Sequence, residues 1–188
     1  MWHNNVKASE YDADKEMIWI CTHVGGLNKL DIRSGHYTHY HMEEGNPNTL
    51  PSDMSRDIIP YKSLLIIATQ NGVCLFDPAN GQCQQLFKDS KEGKSIKMVA
   101  DVTFDSEGTL WIAATGEGVF SYRFDTCKLT NYRHDATNPN SLSNNNVNNI
   151  TQDSKGNLWL STSGSGLDLY STDTNDFDNF DKERNGLA

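Results

Sequence analysis

Three of the six histidines stand close together, at His36, His39 and His41. Histidine nitrogens bind zinc and related metals, and two residues separated by one position on a β-strand point to the same side of the sheet, as His39 and His41 would. The segment is, however, predicted below to be an outer strand that faces solvent. We therefore interpret the histidines as exposed strand residues and predict no metal site.

Ser165 stands between two glycines, a spacing that superficially resembles the turn on which hydrolases present a nucleophilic serine. The corresponding positions elsewhere in the chain hold Gly25 and Glu117, and the sequence suggests no base partner for the serine. The chain contains no G-x-S-x-G, H-E-x-x-H or phosphate-loop motif. We predict no catalytic residue, no cofactor and no enzymatic activity in this chain.

A third group of candidates lies in glycine-containing turns that resemble one another except at a few polar positions. Sugar hydroxyls need paired hydrogen-bond donors and acceptors, which a varied polar set on a repeated frame would supply. Simple solvated turn residues are the alternative interpretation. The predicted ligand-binding residues are His23, Gln70, Asn71, Glu117, Ser163 and Ser165.

These turns belong to a segment that occurs four times, at residues 17–27, 64–73, 109–119 and 157–167. Its third strand position holds Trp19, Ile66, Trp111 and Trp159, which are spaced by 47, 45 and 48 residues. A repeat of about this length, built from short strands and glycine turns, is typical of a β-propeller. The tryptophans recur at one strand position, so we predict that they pack in the core and do not stack on a ligand.

The last repeat shows the predicted unit most clearly. Strands are expected at 146–152, 158–162, 167–170 and 177–180, with turns between them. Four antiparallel strands joined by tight turns form one propeller blade. Asp153 begins the first turn, and Asp105 and Asp12 occupy equivalent positions, so we interpret all three as turn formers and not as a catalytic set.

The predicted fold is all-β, a propeller region over residues 1–188 with four blades at about 4–41, 54–88, 96–133 and 146–181. Each outer strand carries two apolar or aromatic positions. The connector at 46–53 reappears at 138–145, an offset of 92 residues. Connectors and glycine turns should emerge on one face of the sheets, and the Asp turns on the other.

The segments 110–119 and 138–150, followed by Asp153-Ser-Lys-Gly-Asn-Leu-Trp159, resemble the two-component regulator propeller repeat. In that family such repeats form the extracytoplasmic sensor region of hybrid histidine kinases of Bacteroidetes, which respond to oligosaccharides. The resemblance implies a periplasmic location and an oligosaccharide ligand, with any kinase activity in regions absent from this chain. It carries over no individual binding residue, because the repeat motif is structural.

Sensors of this family carry many more blades, so the chain resembles either four whole blades of a longer ring or a short relative. Blades from large rings each occupy a small angle, and four of them need not close alone. Exposed apolar faces on the first and last blades would then seek partners. We expect either a homodimer that completes an eight-bladed ring or the remaining blades of a longer parent chain.

Composition limits the other classes of partner. The net charge is −9, with 25 acidic and 16 basic residues, so a nucleic-acid partner is not expected. No apolar run is long enough for a membrane helix, and the first residues lack the pattern of a signal peptide. The four cysteines form no C-x-x-C pair, and we expect mostly reduced thiols that fill strand positions.

The sequence therefore predicts a non-enzymatic propeller segment of a two-component sensor, involved in recognising an oligosaccharide or in transmitting that recognition. Two alternatives from other classes stay open. A propeller enzyme such as a lyase or lactonase would need carboxylate or histidine ligands gathered at the channel mouth. A purely structural propeller that mediates protein contacts would present a flat, apolar glycine-turn face.

Overall fold

The computed structural model describes residues 3–181. The chain divides into two compact units, Met1–Val99 and Ala100–Ala188. The described residues form four four-stranded antiparallel sheets, and in each sheet neighbouring strands follow one another in chain order. This arrangement confirms the predicted all-β fold with four-stranded propeller blades. No helix within residues 3–181 is long and apolar enough to cross a membrane.

The first unit contains blades 1 and 2. The eight strands are β1 (Val6–Asp12), β2 (Met17–Thr22), β3 (Leu27–Asp31), β4 (Tyr37–Tyr40), β5 (Ser55–Tyr61), β6 (Leu64–Thr69), β7 (Gly72–Phe76) and β8 (Cys83–Gln85). A short 3₁₀ turn follows at Gly93–Ser95. The outer strand β8 has only three residues, which makes it the shortest of the four outer strands among the described residues.

The second unit contains blades 3 and 4. The strands are β9 (Val99–Phe104), β10 (Leu110–Ala114), β11 (Gly118–Arg123), β12 (Lys128–Tyr132), β13 (Val147–Gln152), β14 (Leu158–Thr162), β15 (Gly166–Ser171) and β16 (Asp176–Phe180). β9 begins one residue before the boundary between the units. The repeated segments at residues 17–27, 64–73, 109–119 and 157–167 contain the second strands of the four blades, β2, β6, β10 and β14.

Strand register repeats from blade to blade. In three blades, a residue at or next to the start of the third strand pairs with a residue 13 positions later in the fourth strand: Leu27 with Tyr40, Val119 with Tyr132 and Leu167 with Phe180. In three blades the register also shifts near the start of the first strand, for example between Val147 and Asn149. The repeated sequence spacing thus produces a repeated ladder.

The predicted core packing of the tryptophans is confirmed for Trp19 and Trp111. Trp19 is 2% exposed and packs its ring against Tyr40 of its own blade and Phe76 of blade 2. Leu50, from the connector, joins the same core cluster. Burial of such large aromatic rings is a main contribution to the stability of a small β domain, and here it joins blades 1 and 2.

Blade 3 uses the same arrangement. Trp111, also 2% exposed, contacts the rings of Tyr132 in its own blade and Tyr170 in blade 4. Leu142 of the connector again completes the cluster. Trp159 in blade 4 packs on Phe180 but is only half-buried. The second-strand tryptophan therefore packs most tightly where another blade follows within its unit.

Candidate functional site

The glycine turns of the second unit are fixed by the connector that precedes blade 4. The backbone N–H groups of Gly116 and Gly118 both donate to the carbonyl oxygen of Asn145, at 3.1 and 3.0 Å. The N–H of Ser163 donates to the carbonyl oxygen of the next residue, Asn146, at 2.9 Å. Two turns and one connector thus share one face, as the sequence predicts.

The first unit repeats these bonds. The N–H of Gly26 donates to the Asp53 carbonyl oxygen at 2.9 Å, and the N–H of Gln70 donates to the Met54 carbonyl oxygen at 2.9 Å. The Asp53 carboxylate also accepts a bond from the Met42 N–H at 2.6 Å, as the Asn145 side chain does from His134 at 2.8 Å. These hydrogen bonds make this face a structural frame.

Glu117 lies half-buried in the turn between β10 and β11 and forms an ion pair with Arg133. The Arg133 guanidinium also donates to the Gly116 carbonyl oxygen at 3.3 Å. The predicted ligand residue is therefore engaged by a neighbouring cation. A ligand at Glu117 would have to share or displace that ion pair.

Ser163 and Ser165 lie in the turn between β14 and β15. The Ser163 hydroxyl donates to the Asn148 side-chain oxygen at 3.1 Å. The Asn144 amide donates to the Ser163 carbonyl oxygen at 3.2 Å and to the Ser165 hydroxyl at 3.3 Å. The two serines are thus brought together by one asparagine of the connector.

His23, Gln70 and Asn71 lie in the glycine turns of the first unit. The N–H of His23 donates to the Asn5 carbonyl oxygen at 3.0 Å, while its buried Nδ1 has no hydrogen-bond partner within the described part of the chain. The Asn71 amide donates to the Pro51 carbonyl oxygen at 3.3 Å. The role of these residues in ligand binding stays a prediction.

The Asp turns on the opposite face are built around a single carboxylate each. Asp153 accepts bonds from the backbone N–H groups of Lys155 and Asn157, both at 2.9 Å, and from the Trp159 indole at 3.1 Å. Asp105 likewise accepts a bond from the Trp111 indole at 2.8 Å. The Asn157 side-chain amide donates to the Asp153 carboxylate at 2.7 Å, and this bond, followed by the Trp159 bond, lowers the pKa of Asp153. The interpretation of Asp105 and Asp153 as turn formers is thus supported.

A groove opens on this opposite face of the second unit, between the turns of blades 3 and 4. It has a volume of about 450 Å³, within the range of small-molecule sites. Three turns form its walls, the β9–β10, β13–β14 and β15–β16 turns. We call it the Asp-turn groove; its lining includes Asp105, Ser106, Glu107, Gln152, Lys155, Leu158, Leu169, Tyr170, Asp173 and Asp178.

Charge and hydrogen bonding in the Asp-turn groove are mixed. Glu107, Asp173 and Asp178 are exposed carboxylates, and Lys155 is an exposed cation. Gln152 joins the two blades, because its amide donates to the Ser106 hydroxyl at 3.2 Å and its oxygen accepts a bond from the Ser106 N–H at 2.9 Å. The groove thus combines exposed hydrogen-bond acceptors, one exposed donor and a hydrogen-bonded link between its two blades.

The first unit has a groove of about 340 Å³ at the corresponding place. Its lining includes Asp12, Lys15 and Lys62, together with Trp19 and Pro60. Pro60 pairs with the β6 strand at the position equivalent to Gln152, so the glutamine bridge is absent from this groove. Sequence reasoning missed both grooves because each depends on several turns coming together.

A buried carboxylate in blade 4 was also missed. Asp168 in β15 is fully buried and accepts bonds from the Ser143 N–H at 2.9 Å, the Ser143 hydroxyl at 3.1 Å and the Asn179 amide at 2.9 Å. Burial raises the pKa of Asp168 despite these bonds. Asn28 holds the corresponding place in blade 1, where its side-chain oxygen lies 2.6 Å from Nδ1 of His39.

Burial lowers the pKa of His39, whose ring stacks with Tyr37. His41 lies 4.0 Å from the Glu43 carboxylate. Within residues 3–181, no three His, Cys, Asp or Glu side chains are grouped so that they could hold a metal ion.

Comparison with known proteins supports the resemblance noted in the sequence. Residues 141–164, which cover the end of the blade 4 connector, β13 and β14, match the model of the two component regulator propeller family. A sequence search of curated proteins finds no match.

Solved structures show the same fold. The extracellular domain of the proposed hybrid two-component system BT3049 from B. thetaiotaomicron is 22% identical, with a TM-score of 0.81 over 95% of this chain and 24% of that one. The corresponding domain of BT4673 is 21% identical, with a TM-score of 0.72 over 90% of this chain and 22% of that one. The chain thus spans about a quarter of these domains.

The computationally designed Ika4 protein is similar in fold and in length. It is 12% identical, with a TM-score of 0.57 over 89% of this chain and 92% of that one. The chain described here therefore carries a two component regulator propeller repeat at residues 141–164 and has the fold of the extracellular domains of hybrid two-component systems.

Proposed function

We propose that this chain is a non-enzymatic propeller segment of the extracytoplasmic sensing region of a two-component system, and that it takes part in recognising an oligosaccharide. The observation that carries the proposal is the repeat match at residues 141–164, joined to a fold shared over 95% of the chain with an extracellular domain of such a system. Signal output would come from a kinase outside this segment.

The Asp-turn groove is the best candidate for the ligand contacts. Its carboxylates Glu107, Asp173 and Asp178 accept hydrogen bonds from sugar hydroxyls, and Lys155 donates to them. Leu169, which is half-buried, offers apolar contact to the C–H face of a sugar ring. A groove that combines a few polar groups with apolar contact is typical of a small-molecule site.

The glycine-turn set is the second candidate for the ligand contacts. Its side chains are largely engaged in the frame, as in the Glu117 ion pair and the Ser163 bond to Asn148. The unpartnered Nδ1 of His23 favours a ligand there, because a buried polar atom is costly to leave without a hydrogen bond. Variants in the Asp-turn groove and in the glycine turns distinguish these two candidate sites.

A thermal-shift screen of the full chain against oligosaccharide fragments tests the proposal. A ligand at a hundredfold excess over its Kd stabilises the folded state by about 2.7 kcal/mol, which raises the melting temperature measurably. The proposal predicts such a rise for at least one oligosaccharide. Absence of a rise for every oligosaccharide, with a folded protein, would favour the structural scaffold.

Three variants locate the site once a ligand is found. Asp173→Ala with Asp178→Ala removes two exposed carboxylates of the Asp-turn groove, and Ser163→Ala with Ser165→Ala removes the hydroxyls of one glycine turn. Glu44→Ala is the matched control, since Glu44 is an exposed carboxylate that lies outside the groove lining. Loss of binding only in the first variant supports the Asp-turn groove.

Turnover is checked in the same samples. A non-enzymatic segment returns the oligosaccharide unchanged, so its chromatogram before and after incubation should be identical. Cleavage that depends on the folded chain would contradict the non-enzymatic part of the proposal and favour a propeller enzyme.

A further inference from the structure

Two cysteines of blade 2 lie in contact on neighbouring strands. Cys74 is in β7 and Cys83 is in the outer strand β8, and their sulfur atoms are 3.2 Å apart. Cys74 is fully buried and Cys83 is 4% exposed. Both belong to the core cluster that contains Trp19 and Phe76. The thiols are therefore fixed against each other by packing.

The strand register places the two side chains on the same face of the sheet. Cys83 pairs with Phe76, and Cys74 pairs with Gln85, so the cysteines are diagonal neighbours in the β7–β8 ladder. A disulfide has an S–S distance of about 2.05 Å, so the sulfurs need to approach by only about 1.1 Å from their observed separation. Diagonal neighbours in a sheet lie about 7–8 Å apart, so closure needs side-chain rotation together with a small movement of the short strand β8.

The other two cysteines are placed differently. Cys21 is buried in the same cluster, but its thiol lies 3.6 Å from the Asp57 carbonyl oxygen as a donor. Cys127 is exposed in the second unit, in the turn between β11 and β12. Among the described residues, only the sulfur atoms of Cys74 and Cys83 are in contact with each other.

We propose that Cys74 and Cys83 form an intramolecular disulfide when the chain meets a disulfide oxidant, RSSR. One cysteine thiolate attacks RSSR, so that a mixed disulfide forms and one RS⁻ leaves. The second thiolate attacks the protein sulfur of that mixed disulfide and expels the other RS⁻. The two cysteines are oxidised, RSSR is reduced to two RSH, and the two cysteine protons end on the leaving thiolates.

Access to the thiols comes from the edge of the blade. β8 has three residues and is the outermost strand of its sheet, so local separation of this strand, which breaks the short β7–β8 ladder and the Cys83 bond to Asn48, exposes Cys83. The contact with Cys83 and burial raise the pKa of Cys74, which disfavours the reactive thiolate in the closed state. Oxidation is therefore expected during folding or during opening of β8, and not in the closed blade.

The bond has a specific structural consequence. It would tie the shortest outer strand to the third strand of its blade, across the hairpin turn that contains Asp77 and Gly81. The N–H of Cys83 also donates to the Asn48 carbonyl oxygen of the connector at 2.7 Å, so β8 holds the connector in place. A disulfide there would fasten both to the core of the first unit.

The experiment uses the full chain with Cys127→Ser, which removes the exposed thiol and prevents links between copies. The protein is unfolded, reduced and refolded in buffer containing reduced and oxidised glutathione, then alkylated in denaturant and digested with a protease that cleaves between the two cysteines, at Phe76 or Asp77. We expect a peptide pair linked through Cys74 and Cys83, with Cys21 alkylated. The oxidised protein should have a higher melting temperature than the same protein in dithiothreitol.

Two variants test which cysteines form the disulfide. Cys74→Ala should lack the linked peptides and should melt at the same temperature with or without dithiothreitol. Cys21→Ala should still form the link, because Cys21 is not part of it. Complete alkylation of Cys74 and Cys83 in the refolded Cys127→Ser protein, or a link from either one to Cys21, would overturn the proposal without bearing on ligand recognition.

Discussion

The ring of Trp111 in β10 lies 4.7 Å, centroid to centroid, from the ring of Tyr170 in β15. The indole N–H of Trp111 also donates to the Asp105 carboxylate at 2.8 Å. One side chain thus links the Asp turn of blade 3 to the third strand of blade 4. The Asp-turn groove lies between these elements, so its shape depends on this tryptophan.

Replacing this tryptophan should destabilise the chain strongly. Trp111→Ala removes a buried aromatic side chain, and we expect a loss of about 3–5 kcal/mol in the free energy of unfolding. Trp159→Ala should cost clearly less, because Trp159 is half-buried. Urea denaturation followed by circular dichroism gives both values. Equal losses would contradict the packing role assigned to Trp111.

Two glycines of one turn provide a matched pair. A Cβ at Gly166 would lie 2.2 Å from the Phe180 carbonyl oxygen, whereas a Cβ at Gly164 has no atom within 4 Å. Both have positive φ, of 84° and 79°. Gly164→Ala should cost about 1–2 kcal/mol from backbone strain alone.

Gly166→Ala adds a backbone clash to the same strain, and the total should reach about 3–5 kcal/mol. Thermal unfolding by differential scanning calorimetry measures both variants. Equal stability of the two alanine variants would contradict the close contact between Gly166 and the Phe180 carbonyl oxygen.

The Asp153 carboxylate should contribute a pH-dependent part of the stability. Hydrogen bonds lower the pKa of Asp153 in the folded state from an ordinary value of 3.8. Its stabilising contribution is therefore fully present above the unfolded pKa and is lost as pH falls through the lower folded pKa. Asp153→Asn cannot accept the Trp159 indole bond and both backbone bonds with the same geometry.

We therefore expect Asp153→Asn to melt below the wild type at pH 7, with a difference that narrows as the pH is lowered below about 4. Melting temperatures of both proteins between acid and neutral pH test this. A difference that stays constant throughout would show that the charge of Asp153 plays no part.

Asp168 should behave in the opposite way. Burial raises the pKa of Asp168, so the folded state holds its proton more tightly than the unfolded state does. Stability from this group is fully present below the unfolded pKa of about 3.9 and is lost as pH rises through the raised folded pKa. The wild type should therefore lose stability relative to Asp168→Asn across that window.

Asp168→Asn also loses part of this bonding, because an amide cannot accept all three bonds from Ser143 and Asn179, and the stability of the variant does not depend on titration at this position. Unfolding free energies of both proteins measured from acid to neutral pH give the two effects. A wild type that gains stability relative to the variant as pH rises would contradict the burial argument.

Much of the fold follows from repetition inside one chain. Because Leu27 and Tyr40 are separated by the same 13 residues as Leu167 and Phe180, the spacing alone predicts how the third and fourth strands pair. The glycines and tryptophans recur for the same reason. Positions that need glycine for the backbone, or a large apolar side chain for the core, can thus be predicted from the sequence because they recur in most of the four copies.

Features that belong to one blade were not visible in this way. Asp168 corresponds to Asn28, Cys74 and Phe120 in the other blades, so the repeat gives no sign that a carboxylate is buried there. The Asp-turn groove likewise depends on three turns meeting in space. Contact between Cys74 and Cys83 depends on a diagonal register in the blade whose sequence departs most from the others.

The most direct test of ligand recognition is a titration of the ¹⁵N-labelled chain with the oligosaccharide found in the screen, followed by two-dimensional NMR. We predict that amide signals of the Asp-turn groove shift, including those of Ser106, Glu107, Lys155 and Asp173, while those of the glycine turns do not. Saturating shifts confined to the glycine turns would move the site there. No shift of any amide at saturating oligosaccharide would contradict recognition by this segment.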